Sequence, residues 1–321
     1  MRRPGRGRKA GASHKDSAAR HEHVARGIAL RIASALFFSG QAALLKFAAA
    51  RGGVVAPEML FYRALFGLPV VLAWVTFSQG FSSLVPQRPS AHVGRSILGI
   101  CSILCTFQSL ILLPLADATT IGFTAPIFAT ILSWLILGEP VGRHRWLAVA
   151  IGFLGVVVVT RPGGTHHALP LAGVAIGLVA AFGTASVTIT LRKLGNSEHV
   201  AAIVFWFFVG SVLVGATLLP FFGHLHDTGT ILLLAGGGIA GGLAQITMTA
   251  SLRAAPVSVV SPFDYLQIVG AMLLGWLLLA SVPTATTLIG AAIIAGSGLY
   301  TAWREHRRRR TPPVPATQAL G

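Results

Sequence analysis

Apolar residues run in long blocks separated by short polar breaks, near 28–50, 57–77, 95–115, 117–137, 145–160, 171–191, 199–220, 229–250, 256–279 and 283–303. Crossing the hydrocarbon of a bilayer takes about 20 helical residues. No water reaches that depth, so each run must satisfy its own backbone groups as a helix. The runs lack the apolar–polar alternation of a lipid-facing barrel strand. The pattern predicts an all-α polytopic membrane protein of about ten transmembrane helices. The ends of the fourth and fifth runs are the hardest to place, because Asp117 and Glu139-Pro140 leave room only for short loops. Ala48-Ala49-Ala50 superficially resembles a cleavage site, but the first run is longer than a signal peptide's apolar core and reads as a retained helix.

Composition supports the pattern. Only 11% of the 321 residues are charged and 54% are hydrophobic, too few polar residues to cover a water-soluble core. The net charge of +16 is concentrated in the ends: residues 1–31 hold nine Lys/Arg against two acids, and residues 304–321 five Arg against one Glu. Basic tails beside membrane helices set topology and contact anionic lipid, and no nucleic-acid-binding module accompanies them. With the N-terminus inside, the inner loops carry Arg88, Arg95, Arg143, Arg145, Arg192, Lys193 and Arg253, while the outer side keeps Lys46, Arg51 and Arg161. Together with the tails this is an asymmetry of 21 to 3, which predicts both termini on the cytoplasmic face of a bacterial inner membrane.

An offset of 142 residues pairs Gly94 with Gly236, Gly99 with Gly241, Pro114 with Pro256 and Trp134 with Trp276, and a slightly different offset pairs Lys46 with Arg192. The series predicts two five-helix repeats, 28–161 and 171–303, between basic cytoplasmic tails at 1–27 and 304–321. Five is odd, so the second copy enters the membrane from the opposite side. Such inverted repeats place a site near the midplane and support alternating access.

Ionisable side chains within spans are costly and mark sites. Arg63 lies six residues into the second run and Asp264 eight into the ninth. A pair between them across the two halves is one reading. The other has Arg63 snorkelling to the outer interface and Asp264 capping the helix after Pro262. Pro126 and Pro262, with Pro256, interrupt the fourth and ninth runs and free carbonyls for a cavity or for simple kinks. Gln41, Phe107, Gln108, Phe123, Trp206, Gln245, Tyr265 and Gln267 supply amide and aromatic groups for a pocket, or serve as glue between helices. Gly173-x-x-x-Gly177, Gly237-x-x-x-Gly241 and Gly238-x-x-x-Gly242 let helices approach closely, within or between protomers. Glu58 suits a helix N-terminus, and Glu139 is expected to pair with Arg143 or Arg145. His224, His226 and Asp227 share an outer loop but lack a fourth ligand for a metal. Cys101 and Cys105 read as packing residues. No cofactor is expected, because the glycines lack the Gly-Lys-Ser/Thr ending of a nucleotide loop.

Leu113-Pro114-Leu115-Ala116-Asp117-Ala118, Ala125-Pro126, Gly138-Glu139 and Arg161-Pro162-Gly163, with Ser261-Pro262-Phe263-Asp264-Tyr265 and Gly298-Leu299-Tyr300-Thr301-Ala302-Trp303-Arg304-Glu305, resemble EamA-type proteins of the drug/metabolite transporter superfamily. The likeness covers residues 28–305. It implies secondary transport of small organic molecules, and the first-half motif resembles bacterial flavin or S-adenosylmethionine carriers. Two positions depart from the family pattern: Ser281 stands where an acid is frequent, and Asp264 where Glu is frequent. The expected partners are a small-molecule substrate, membrane lipids, a coupling proton or exchange substrate, and a second copy in a homodimer. The competing function, a membrane enzyme acting on lipid or polyprenyl substrates, calls for clustered acids or histidines at one interface, and these short loops are nearly bare of them.

Overall fold

The computed structural model describes residues 7–78, 80–138, 141–161, 169–194 and 199–310. Each apolar run forms helix: α1 Gly7–Gly52, α2 Ala56–Ser78, α3 Pro89–Leu112, α4 Leu115–Gly122, α5 Ala125–Leu137, α6 Arg143–Thr160, α7 Leu171–Leu194, α8 Val200–Phe222, α9 Thr228–Ala254, α10 Val257–Val260, α11 Leu266–Leu279 and α12 Ala285–Arg310. Short 3-10 turns occupy Phe81–Leu84 and Ser261–Tyr265. Among the described residues there are no strands, and ten spans are long and apolar enough to cross a membrane. The fourth span is α4 plus α5, and the ninth runs from the Ser261–Tyr265 turn through α11. The protein is a multi-pass membrane protein.

The helices differ from expectation mainly at the chain ends. α1 begins at Gly7, so much of the basic tail continues the first helix, and α12 runs on to Arg310 through the closing arginines. Arginine and alanine are good helix formers, and no proline interrupts either extension. The fourth span starts at Leu115 rather than 117, because Pro114 sits at its N-cap, where a missing N–H costs nothing.

Burial is inverted relative to a soluble protein. Leu36, Phe77, Leu135, Leu232 and Leu277 are exposed on the outside, while Ala35, Ala43, Ala64, Ala202 and Ala244 are buried between helices. Small residues inside let backbones approach, which is how helices associate when lipid removes the hydrophobic drive. α9 carries two such faces. Gly237 and Gly241 face Leu45 and Gln41 of α1, and Gly238 and Gly242 face Phe66 and Val70 of α2. Gly173 and Gly177 of α7 lie on Leu113 and Ser109. All three glycine motifs therefore close helix packing inside one chain.

The main packing partners are α1 with α9 and α11, α3 with α7 and α8, α2 with α9 and α8, α6 with α12, α7 with α4 and α5, and α4 with α11. Exchanging each span for the one five places later leaves this set unchanged. The same exchange relates the positions of single hydrogen bonds, with Ser34 and Ser102 donating in opposite senses across it and Ser251 and Ser109 in the same sense. Ser34 of α1 donates to the Ala244 carbonyl of α9 at 3.0 Å, and Ser102 of α3 donates to the Ala180 carbonyl of α7 at 2.9 Å. Ser251 of α9 donates to Gly27 at 2.8 Å, and Ser109 of α3 donates to Gly173 at 3.0 Å. The C-caps of the fourth and ninth spans, Gly138 (φ 65°) and Ala280 (φ 50°), are both left-handed and stand 142 residues apart.

Candidate functional site

The fourth and ninth spans are both broken part-way. α4 ends at Gly122 and α5 starts at Ala125, with Pro126 in its first turn; Ser261–Tyr265, containing Pro262, precedes α11. Proline cannot donate to the preceding turn, so the helix is interrupted at that point. The two breaks bring Phe123 and Tyr265 together, ring centroids 5.1 Å apart. The Tyr265 hydroxyl points at Gly298 of α12, a position with no room for a Cβ.

Next to Tyr265, Asp264 accepts from Arg31 Nη2 of α1 at 2.5 Å. Their side chains are 24% and 9% exposed, so the pair sits largely out of water. Each ion pays several kcal/mol of desolvation that only close pairing offsets. One reading of the sequence paired Arg63 with Asp264, whereas in the structure Asp264 pairs with Arg31. Arg31 was missed because it was counted with the basic tail, although it lies inside the apolar run that begins at Ile28. An arginine within such a run was the available signal.

Arg63 takes neither of the roles first assigned to it. It is 3% exposed, so it does not snorkel, and its Nε and Nη1 lack hydrogen-bond partners. Its guanidinium lies 5.2 Å from the Phe208 ring centroid. Gln41, also buried, directs an unpartnered Oε1 toward Gly241, on the same spot that Arg63 Nε borders.

The remaining pocket residues separate. Phe107 is 2% exposed and belongs to the apolar core with Leu45, Met59 and Leu60. Trp206 is 38% exposed, and its Nε1 donates to the Leu84 carbonyl at 2.9 Å. It anchors the α2–α3 connection rather than lining a pocket, as an amphipathic ring at an interface does. Gln108, Gln245 and Gln267 are half-buried on α3, α9 and α11, and the Gln267 carbonyl accepts from Ser39 of α1 at 3.2 Å. Glu139, Pro162 and Gly163 lie outside the described residues.

The outer-loop residues form a clasp. Glu58, fully buried, accepts from the Val55 N–H at 2.9 Å and the His224 N–H at 2.7 Å, and meets His226 Nε2 at 2.8 Å. Beside it Asp227 caps α9, bonding Thr230 Oγ1 at 2.5 Å, Gly229 N–H at 3.1 Å and Arg51 Nη2 at 2.9 Å. The Thr230 hydroxyl first, then Arg51 and the Gly229 N–H, hold the Asp227 carboxyl down to about 2. Two other groups also tie helices. Asp117 accepts from Thr287 of α12 at 2.7 Å, and Lys46 Nζ reaches the Ile111 and Leu113 carbonyls at the end of α3, at 2.8 and 2.9 Å.

The EamA-like transporter family model matches this chain twice, over residues 25–161 and 171–302. The chain belongs to the EamA-like transporter family. Among curated relatives, the pseudopaline exporter of Pseudomonas aeruginosa is 27% identical over 84% of this chain and 93% of its own length. The riboflavin transporter of Rhizobium johnstonii is 30% identical over 78% and 81%, and the S-adenosylmethionine uptake transporter of Rickettsia felis 25% over 78% and 84%. One crystal structure, 19% identical, superposes with a TM-score of 0.63 over 89% of this chain and 99% of that one. At that identity the likeness speaks for the fold. This EamA protein thus shares its architecture with transporters whose named cargoes differ widely.

Proposed function

We propose that this EamA protein is a secondary active transporter that moves a small organic metabolite across a bacterial inner membrane by alternating access, with both termini cytoplasmic. The two halves act as inverted repeats, and a path between them opens to one side at a time. The observation that carries the reading is the Arg31–Asp264 pair, which joins a helix of the first half to a broken helix of the second. At the offsets that relate the halves, the counterparts of Arg31 and Asp264 are Gly177 and Gly122. The cytoplasmic half of the path is therefore closed by a charge pair whose outer counterpart is two glycines, Gly177 packed on the Ser109 and Ile121 side chains and Gly122 with open space beside it. A proton on Asp264, or a cationic group of the cargo competing for its carboxylate, releases Arg31 and frees the ninth span.

The named cargoes of the relatives support a small polar organic substrate. Proteoliposomes holding the purified protein, given radiolabelled riboflavin or S-adenosylmethionine with and without a pH gradient, test the proposal. The expected result is saturable flux of a metabolite above that of protein-free vesicles. No flux of either compound, or of an extended metabolite panel, in either direction and under any gradient, overturns it. Tags on the two termini that report opposite faces of the membrane overturn the inverted arrangement.

A further inference from the structure

We propose that Arg63 and Gln41 form an anion subsite that takes the carboxylate of the transported molecule, an inference resting on the transport reading above. The argument begins with charge. Five acidic side chains fall among those the structure describes: Glu22, Glu58, Asp117, Asp227 and Asp264. Glu22 is exposed near the start of the first span. Glu58 is held by His226 and two backbone N–H groups, Asp117 by Thr287, Asp227 by Arg51 and Thr230, and Asp264 by Arg31. Arg63 has none of them. A guanidinium in a dry interior without a counter-ion is costly to bury and persists where it serves a purpose.

The surroundings of Arg63 match an anion. From α1 comes the Gln41 amide, from α8 the Phe208 ring, and from α9 Gly241. Among the described residues, no carboxylate forms an ion pair with Arg63. Gly241 lacks a Cβ, and a side chain there would run into Gln41 Oε1 and come to 3.4 Å from Arg63 Nε. A planar carboxylate accepts two parallel N–H bonds from a guanidinium, and the amide of Gln41 can turn its NH2 toward a second oxygen. The Phe208 ring provides an apolar wall beside the charge. The subsite lies in the outer half of the second span, and the Arg31–Asp264 pair in the cytoplasmic half of the first and ninth. A zwitterionic cargo thus meets a cation at Arg63 and a carboxylate at Asp264, two separate sites rather than one pair.

The experiment compares sodium benzoate with benzamide, and with sodium chloride, as ligands in thermal unfolding of the purified full-length protein at constant ionic strength. Wild type is expected to bind benzoate about tenfold or more tightly than benzamide, the discrimination of a charge-assisted bidentate pair. Arg63→Gln is expected to unfold at or above the wild-type temperature without ligand, because an unpaired buried charge is gone, and to bring the benzoate-to-benzamide ratio to about one. Gln41→Leu keeps the charge and is expected to weaken benzoate several-fold, which covers the case in which Arg63→Gln does not fold. Equal responses to benzoate and benzamide in wild type overturn the subsite. So does stabilisation by chloride but not benzoate, or benzoate selectivity that survives in Arg63→Gln. The transport reading is scored separately by metabolite flux. Flux without benzoate selectivity sinks the subsite alone, and selectivity without flux counts against transport alone.

Discussion

Phe123 and Tyr265 stand 142 residues apart, hold the same place in the two halves of the chain, and meet with ring centroids 5.1 Å apart where the fourth and ninth spans break. The Tyr265 hydroxyl abuts Gly298. Gly298→Ala is expected to cost about 1–3 kcal/mol through overpacking. In a Tyr265→Phe background the hydroxyl is absent, and the same substitution is expected to cost about 1 kcal/mol less, a coupling readable in a double-mutant cycle of thermal unfolding. Additive effects would show that the ring swings clear of α12.

Ser251 of α9 and Ser109 of α3 bind the carbonyls of Gly27 and Gly173 at equivalent places in the two halves. Each Ser→Ala change is expected to cost about 0.5–1 kcal/mol, as interhelical hydroxyl bonds in membranes do. Matched environments predict costs within about 0.5 kcal/mol of each other. Unfolding midpoints that place one cost well above the other would show the two halves to be unlike at these joints.

Ala280 holds a left-handed conformation at φ 50°, where its counterpart is Gly138 at φ 65°. A Cβ in that region costs about 1–2 kcal/mol. Ala280→Gly is expected to stabilise the protein by about 0.5–1 kcal/mol, and Gly138→Ala to destabilise it by a comparable amount. Differential scanning of the two variants checks both signs.

Asp264→Asn leaves Arg31 with an unpaired buried charge. Because the carboxylate is partly solvated, the expected cost is about 1–3 kcal/mol, below that of a fully buried pair. Arg31→Gln combined with Asp264→Asn is expected to recover most of it. In proteoliposomes, Asp264→Asn is expected to abolish the response of flux to a pH gradient. Wild-type proton dependence in that variant would remove Asp264 from the coupling step.

The outer clasp has its own pH signature. Asp227 is depressed to about 2 by Thr230, Arg51 and Gly229, against about 3.9 in an unfolded chain. A depressed carboxylate stabilises the fold fully above its unfolded pKa and loses that contribution as pH falls through the folded one. Wild type is expected to unfold at a higher temperature than Asp227→Asn at pH 7, with the difference shrinking from about pH 4 and gone near pH 2. A gap that stays constant across this range would assign the effect to shape rather than charge.

The spans were legible from sequence because lipid imposes length, apolarity and internal backbone bonding on each run separately. The two breaks were legible for the same local reason, since Pro126 and Pro262 act on their own helices. Partnership was not. Arg31, Arg63 and Asp264 are all ionisable residues within apolar runs, and nothing local says which cation reaches the carboxylate. That depends on how α1 rotates against α11, and on the glycine faces of α9 that draw α1 and α2 close. Trp206 and Phe107 illustrate the same limit: aromatic character was visible, but whether a ring faces a pocket, a core or a loop is set by neighbours distant in the chain. The sequence by itself determined the membrane class, the ten runs and the in-order repeat. Only the tertiary structure decided that Arg31 takes Asp264 and leaves Arg63 beside Gln41, because a side chain's electrostatic partner follows from packing geometry, which no single helix contains.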